Sequence, residues 1–125
     1  MNAKFLKCKG CGKIVLEIKG SACPTKCCGE PMEELIAGMT EGAGEKHIPD
    51  CDLDGSTLHV QVGSVLHPML EEHHIEWIAV QSKKGLQIKD LQPGEEPKAD
   101  FILTEDDEVE AVYENCNLHG FWKAI

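Results

Sequence analysis

The chain has 125 residues, 42% of them hydrophobic, and a formal net charge of −10 at pH 7, which suffices for one modest core or for a small module joined to a larger one, and two full-sized domains will not fit. No stretch approaches the roughly eighteen continuous apolar residues of a membrane span, and the opening MNAKFLKCKGCGK lacks the apolar core of a signal peptide, so the expectation is a cytoplasmic protein whose seven cysteines stay reduced. The acidity argues against nucleic acid and anionic membrane as partners, since both require a basic face, and it poses a puzzle for any anionic substrate.

Residues 1–36 carry five of the seven cysteines, whereas residues 37–125 carry all six histidines and both tryptophans. That split predicts two modules, with AGMTEGAGEK as a glycine-rich connection that serves as a linker or as a loop reaching into a site. In the first module CKGC places Cys8 and Cys11 two residues apart, and the adjacent pair Cys27 and Cys28 follows after fifteen intervening residues. Such a spacing lets a tight turn aim both sulfurs of the first pair at one ion, with Gly10 and Gly12 supplying the backbone freedom. Four thiolates imply a tetrahedral zinc or iron site, and a structural zinc ribbon is the serious rival to an iron centre. The adjacent second pair is unusual, because neighbouring side chains normally point apart. Cys23 is a surplus thiol that competes for a ligand position.

Early in the second module lies PDCDLDG, a turn-like acidic stretch in which Cys51 reads as a free thiol. STLHVQVGSV alternates Leu58, Val60 and Val62 against His59 and Gln61, the period of a half-buried strand, and puts His59 on the polar face. HIEWIAVQS, GLQIK, ADFILTE and EVEAVYEN predict further strands, separated by the turn-forming SKKG and QPGEEP. Helix signals are weak. Short strands at this spacing predict a mainly β protein, a small metal module followed by an antiparallel β-sandwich. Histidines occur in GEKHIP (His47), HPMLEEHH (His67, His73, His74) and CNLHG (His119). Spacing alone leaves the choice between His73 and His74 open, since adjacent histidines do not readily face one ion. Cys116 and His119, three apart, read equally as half of a zinc site, a nucleophile beside its base, or a thiolate and an imidazole on one iron.

Taken in order, CKGC…CC, CCGEPM, GEKHIP, VGSVLHPMLEEHHIEWI and CNLHGFWKA resemble the desulfoferrodoxins, the two-iron form of superoxide reductase, along essentially the whole chain. The resemblance implies a desulforedoxin-like module over residues 1–36 with iron on Cys8, Cys11, Cys27 and Cys28. It implies an immunoglobulin-like sandwich over residues 37–125 whose catalytic iron takes His47, His67, His73 and His119 equatorially and Cys116 axially. His73 is preferred to His74 as the residue six beyond His67. It further assigns Lys46 to guiding superoxide and Glu45 to the sixth position of the oxidised iron. The implied reaction is one-electron reduction of superoxide to hydrogen peroxide without oxygen, with a rubredoxin-like donor and a homodimeric assembly. Cys23 and Cys51 depart from the family pattern.

Chemistry supports the same set on its own terms. Four neutral imidazoles and one thiolate leave a ferrous ion cationic with one open position, and a thiolate ligand pushes electron density toward whatever binds there. Lys46 offers the local positive field that an acidic protein needs to draw in an anion. Two other classes stay open at this stage. A pure electron carrier would need no open position, and a zinc-binding structural protein would need only the cysteine cluster.

Overall fold

The computed structural model describes residues 4–38 and 44–125, and it divides into two compact units, Met1–Ile36 and Ala37–Ile125. The described residues are nearly all strand and turn, with one helical turn, as the alternating patterns of the sequence require.

In the first unit, β1 (Lys4–Lys7) lies between β2 (Ile14–Glu17) and β5 (Glu33–Glu34), both antiparallel to it. A separate hairpin joins β3 (Lys26–Cys27) to β4 (Glu30–Pro31). Among the described residues of this unit only Phe5, Leu6 and Cys8 are buried, so little apolar surface is available to hold it together.

The second unit has a core of its own. The helical turn α1 (Gly44–His47) leads into β6 (Pro49–Asp54), which pairs with β7 (Thr57–Val62). β7 in turn pairs with β10 (Lys98–Ile102), giving the sheet order β10-β7-β6. The opposing sheet has the order β12-β11-β8-β9, from β8 (Ile75–Ser82), β9 (Gly85–Asp90), β11 (Val109–Cys116) and β12 (Gly120–Ala124). Leu58, Val60 and Val62 of β7 and Phe101 of β10 meet Ile75, Ile78 and Val80 of β8 and Val112 of β11 in one cluster. Burying each such side chain is worth about 1.5–3 kcal/mol relative to leaving it exposed. Two antiparallel sheets over a shared core, three strands against four, form the immunoglobulin-like sandwich. His59 lies on the outer face as its alternation predicts, with Nδ1 2.6 Å from Asp100.

One segment departs from the sequence reading. PDCDLDG is not a turn but the edge strand β6, in register with β7 from Pro49↔Val62 to Asp54↔Thr57. Its three aspartates disfavour a strand by propensity, and pairing with the hydrophobic β7 overrides them. Cys51 packs against the core from this strand, and burial pushes its thiol up to about 11.

Antiparallel pairing has one consequence for chemistry. The start of β6 lies beside the end of β7, the start of β8 beside the end of β11, and the end of β11 beside the start of β12, through Pro49↔Val62, Ile75↔Cys116 and Cys116↔Gly120. All the loops that carry histidine or cysteine motifs in this unit therefore emerge at one end of the sandwich.

Candidate metal centres

In the first unit the sulfurs of Cys8, Cys11, Cys27 and Cys28 lie within 4.8 Å of one another. The Cys8–Cys11 turn closes with the Gly12 N–H donating to the Cys8 carbonyl at 2.9 Å. Gly12 has φ 81°, a conformation that costs glycine little. Gly10 serves differently: a Cβ there would stand 3.1 Å from the Cys28 Cβ and 3.4 Å from its sulfur, so the glycine leaves room for the second pair. That pair brings its sulfurs together through the β3–β4 hairpin, whose two-residue loop has φ 53° at Cys28 and 77° at Gly29. Positive φ at both loop positions is the signature of a type I′ turn, and it swings Cys28 back toward Cys27. Cys23 is exposed and lies outside the four-sulfur group.

These thiols charge unequally when left to themselves. The Cys11 backbone N–H draws Cys8 down to about 7, whereas the crowded neighbours, Cys11 first, push Cys28 up to about 12. Four sulfurs this close become thiolates together only around a cation, so the donor set fits a tetrathiolate metal.

At the loop end of the second unit four imidazoles form a closed square. Ring centroids are separated by 4.8 Å for His47–His67, 4.6 Å for His67–His73, 4.9 Å for His73–His119 and 4.9 Å for His119–His47, with each pair edge-on. Ligand atoms of His47, His67, Cys116 and His119 lie within 4.8 Å of one another. His73 joins through its ring contacts, and its Nε2 is buried with no hydrogen-bond partner among the described residues. His74 turns elsewhere, its Nδ1 3.1 Å from the Leu70 carbonyl. The Cys116 sulfur is 3.5 Å from His67 Nε2 and accepts the His119 backbone N–H at 3.5 Å.

Each ring is aimed by its surroundings. His67 is 3% exposed; its backbone N–H donates to the Val62 carbonyl at 2.8 Å. Its Nδ1 lies 2.6 Å from the Pro68 carbonyl, which places the proton on Nδ1 and leaves Nε2 as a lone pair. His47 stacks on Trp122 with centroids 5.0 Å apart, and Trp122 Nε1 donates to the His119 carbonyl at 3.1 Å. Burial, reinforced by the neighbouring rings, holds His47 and His67 down to about 4 and lowers His73 as well. All three are therefore neutral and ready to coordinate at neutral pH. Burial raises Cys116, so its thiolate requires a cation beside it.

Glu114 was not foreseen. It is fully buried on β11, its Oε2 3.6 Å from His47 Nδ1, and burial pushes its carboxyl up to about 9. The pair is therefore neutral at pH 7, a carboxylic acid beside an imidazole. At 3.6 Å this is a close approach rather than a hydrogen bond, and His47 Nδ1 and both Glu114 carboxyl oxygens are buried without a hydrogen-bond partner among the described residues. The signal was present in the sequence: Val112, Glu114 and Cys116 share the inward parity of one strand.

Donors of this type, four imidazoles and a sulfur, with a buried His73 nitrogen left without a hydrogen-bond partner among the described residues, fit an iron site. Lys46 lies in the last turn of α1 with an exposed side chain, and its positive charge bears on His47, His67 and His73. The side chain of Glu45 lies outside the described residues.

The comparisons agree with this geometry. The Desulfoferrodoxin family model matches residues 39–125. The chain is 43% identical over 121 residues to the desulfoferrodoxin of Nitratidesulfovibrio vulgaris, covering 97% of this chain and 94% of that one. It is 41% identical to a desulfoferrodoxin homolog of Archaeoglobus fulgidus, covering 94% and 93%. Among solved structures it superposes on the superoxide reductase from Treponema pallidum with a TM-score of 0.82 at 36% identity, covering 99% and 98%. The one-iron superoxide reductase from Giardia intestinalis matches 64% of this chain and 95% of its own, with a TM-score of 0.55 at 32% identity. With a four-cysteine cluster, a four-histidine, one-cysteine group and this likeness along its length, the chain belongs to the desulfoferrodoxin family.

Proposed function

We propose that the protein is a superoxide reductase, an oxidoreductase that reduces superoxide by one electron to hydrogen peroxide without forming oxygen. The observation that carries this reading is the square of imidazoles beside Cys116, because it would offer one metal five donors and leave a place for a small anion. Iron bound there supplies the electron and a Lewis-acidic position for the substrate. His47, His67, His73 and His119 hold it as neutral ligands, so the site keeps a net positive charge. Cys116 supplies the thiolate, and the hydrogen bond from the His119 N–H moderates its charge. Lys46 would draw superoxide toward an otherwise acidic molecule, and Glu45, two residues before His47, would offer a carboxylate to the oxidised metal.

The first unit, residues 1–36, is a desulforedoxin-like module that holds a second iron on Cys8, Cys11, Cys27 and Cys28, and residues 37–125 form the catalytic unit. A rubredoxin-like protein returns the electron after each turnover. The chain works in the cytoplasm as a homodimer, in which pairing supplements the few buried side chains of the first unit. No helix among the described residues is long and apolar enough to cross a membrane.

Product analysis tests the reading. Anaerobically purified, pre-reduced protein exposed to a superoxide flux should yield as much hydrogen peroxide as superoxide consumed, with no oxygen from the enzyme. Oxygen accompanying half that yield of peroxide would make the protein a dismutase and refute the proposal.

A further inference from the structure

The four histidines of the square are not equally well held. His47 is buried against Trp122, His67 is tied at both its backbone and its ring, and His119 lies within the β11–β12 hairpin. His73 stands at the end of a two-residue turn, Glu71–Glu72. The bonds Leu70 N–H to His73 carbonyl (2.9 Å) and His73 N–H to Leu70 carbonyl (3.1 Å) close that turn on itself. They fix its shape, but nothing in them fixes its place against the other three rings.

Asn117, next to Cys116, reaches across to this turn. Its backbone N–H donates to the His74 carbonyl at 3.1 Å. Its side-chain Oδ1 accepts the His74 N–H at 2.9 Å, and its Nδ2 donates to the Glu72 carbonyl at 3.0 Å. The side-chain bonds grip the residues immediately before and after His73. A primary amide suits this role because it presents a donor and an acceptor from one rigid plane. Met69 anchors the upstream flank, where its carbonyl accepts the Gly94 N–H at 2.8 Å, but that tie lies four residues from His73.

We propose that Asn117 is a positioning residue: it clamps the His73 turn to the loop carrying Cys116 and His119, so that the fourth imidazole closes the square around the metal. This rests on the reading of the square as an iron site. Asn117 itself is exposed, so replacing it removes hydrogen bonds and no core contact.

The test uses the full chain carrying Asn117→Ala, Asn117→Asp, His73→Ala, and Asn117→Ala with His73→Ala. Ferrous iron is titrated against a chromophoric chelator, and the ferric proteins are compared by electron paramagnetic resonance, in which the tetracysteine iron serves as an internal reference. Asn117→Ala should weaken iron retention at the histidine site by about tenfold, the usual range for a partner lying just behind a ligand, and shift its signal toward that of His73→Ala. Asn117→Asp keeps the acceptor and loses the donor, and should fall between. In the His73→Ala background Asn117→Ala should change nothing further, because the clamp acts only through that ring. Thermal unfolding of the metal-free variants should match wild type. Unchanged affinity and spectrum in Asn117→Ala, equal weakening in both backgrounds, or a wild type that takes no metal at the histidines would overturn the proposal. Wild type that binds iron there but is inert toward superoxide would refute the functional reading alone, with the clamp still measured by affinity.

Discussion

The two units use metal in opposite ways. The first buries only Phe5, Leu6 and Cys8 among its described residues, and its five short strands converge on four sulfurs. There the cation replaces a core, and binding and folding are one event. The second buries a continuous cluster from Leu58 to Cys116 drawn from both sheets, and its metal ligands sit on loops and element ends at one end of a scaffold that stands without them. There the metal is a guest in a preorganised site, and an open coordination position is tolerable because the fold does not depend on a closed one.

Removing one ligand should separate the two cases most strongly. Cys28→Ser should unfold the first unit outright, so that amide exchange of residues 4–35 loses its protection while the strands of the second unit keep theirs. Survival of protection in the first unit would mean that Phe5 and Leu6 suffice as a core. The converse change is Ile78→Ala, in a side chain that is fully buried. It should cost the second unit about 2–5 kcal/mol in denaturant unfolding while leaving the visible spectrum of the tetrathiolate unaltered.

Acid and base should sharpen the contrast in the metal-free protein. His47 and His67 take up protons at pH 6.5 when unfolded but only near 4 when folded, so the unfolded state binds more protons in that window and stability falls as pH drops from 6.5 to 4. Glu114 runs the other way. Its folded value near 9 lies above the unfolded 4.5, so its contribution declines as pH rises through that range. His47 and His67, joined by the lowered His73, outweigh one carboxyl below pH 6.5, and above it the carboxyl supplies most of the decline, with His59, raised by its bond to Asp100, adding to it. Stability of the second unit should therefore peak near pH 6.5, and Glu114→Gln should remove most of the decline on the alkaline side. Urea midpoints across pH would read this directly.

The smallest expected effect is that of Lys46→Ala. Superoxide reduction by the pre-reduced protein should slow by roughly tenfold or less, with iron content unchanged, since no ligand is touched. Added salt should slow the wild-type reaction and slow the variant less, because screening near 0.1 M reaches about 10 Å and removes a local attraction first. Equal rates and equal salt slopes in stopped-flow traces would leave Lys46 as a solvated charge.

Much of this was legible in the sequence because ligand spacing and strand alternation are local signals. CKGC with its glycines announces a turn around an ion, and Leu58, Val60 and Val62 announce an inward face. Other features depend on partners far along the chain. In β6, Asp50, Asp52 and Asp54 argue for a turn until β7 is beside them. Nothing in HHIEWI separates His73 from His74, because the choice is made by the Leu70–His73 turn and by Asn117 more than forty residues on. The adjacent Cys27 and Cys28 looked awkward for one ion, and the left-handed backbone at Cys28 resolves that. A carboxylate in a strand ordinarily faces water, and only the parity of Glu114 with Val112 and Cys116 marks it as buried.

The central claim is that the histidine and cysteine site of the second unit performs the reaction, and that the tetracysteine metal is not required for it. The direct measurement is the rate of superoxide consumption by pre-reduced Cys28→Ser and Cys116→Ser proteins after a radiolytic pulse. The account predicts that Cys28→Ser reacts at close to the wild-type rate and that Cys116→Ser loses the reaction or slows it by at least about tenfold, as expected when a metal ligand is removed. An inert Cys28→Ser protein that still holds iron at its histidines, or an unimpaired Cys116→Ser protein, would contradict it.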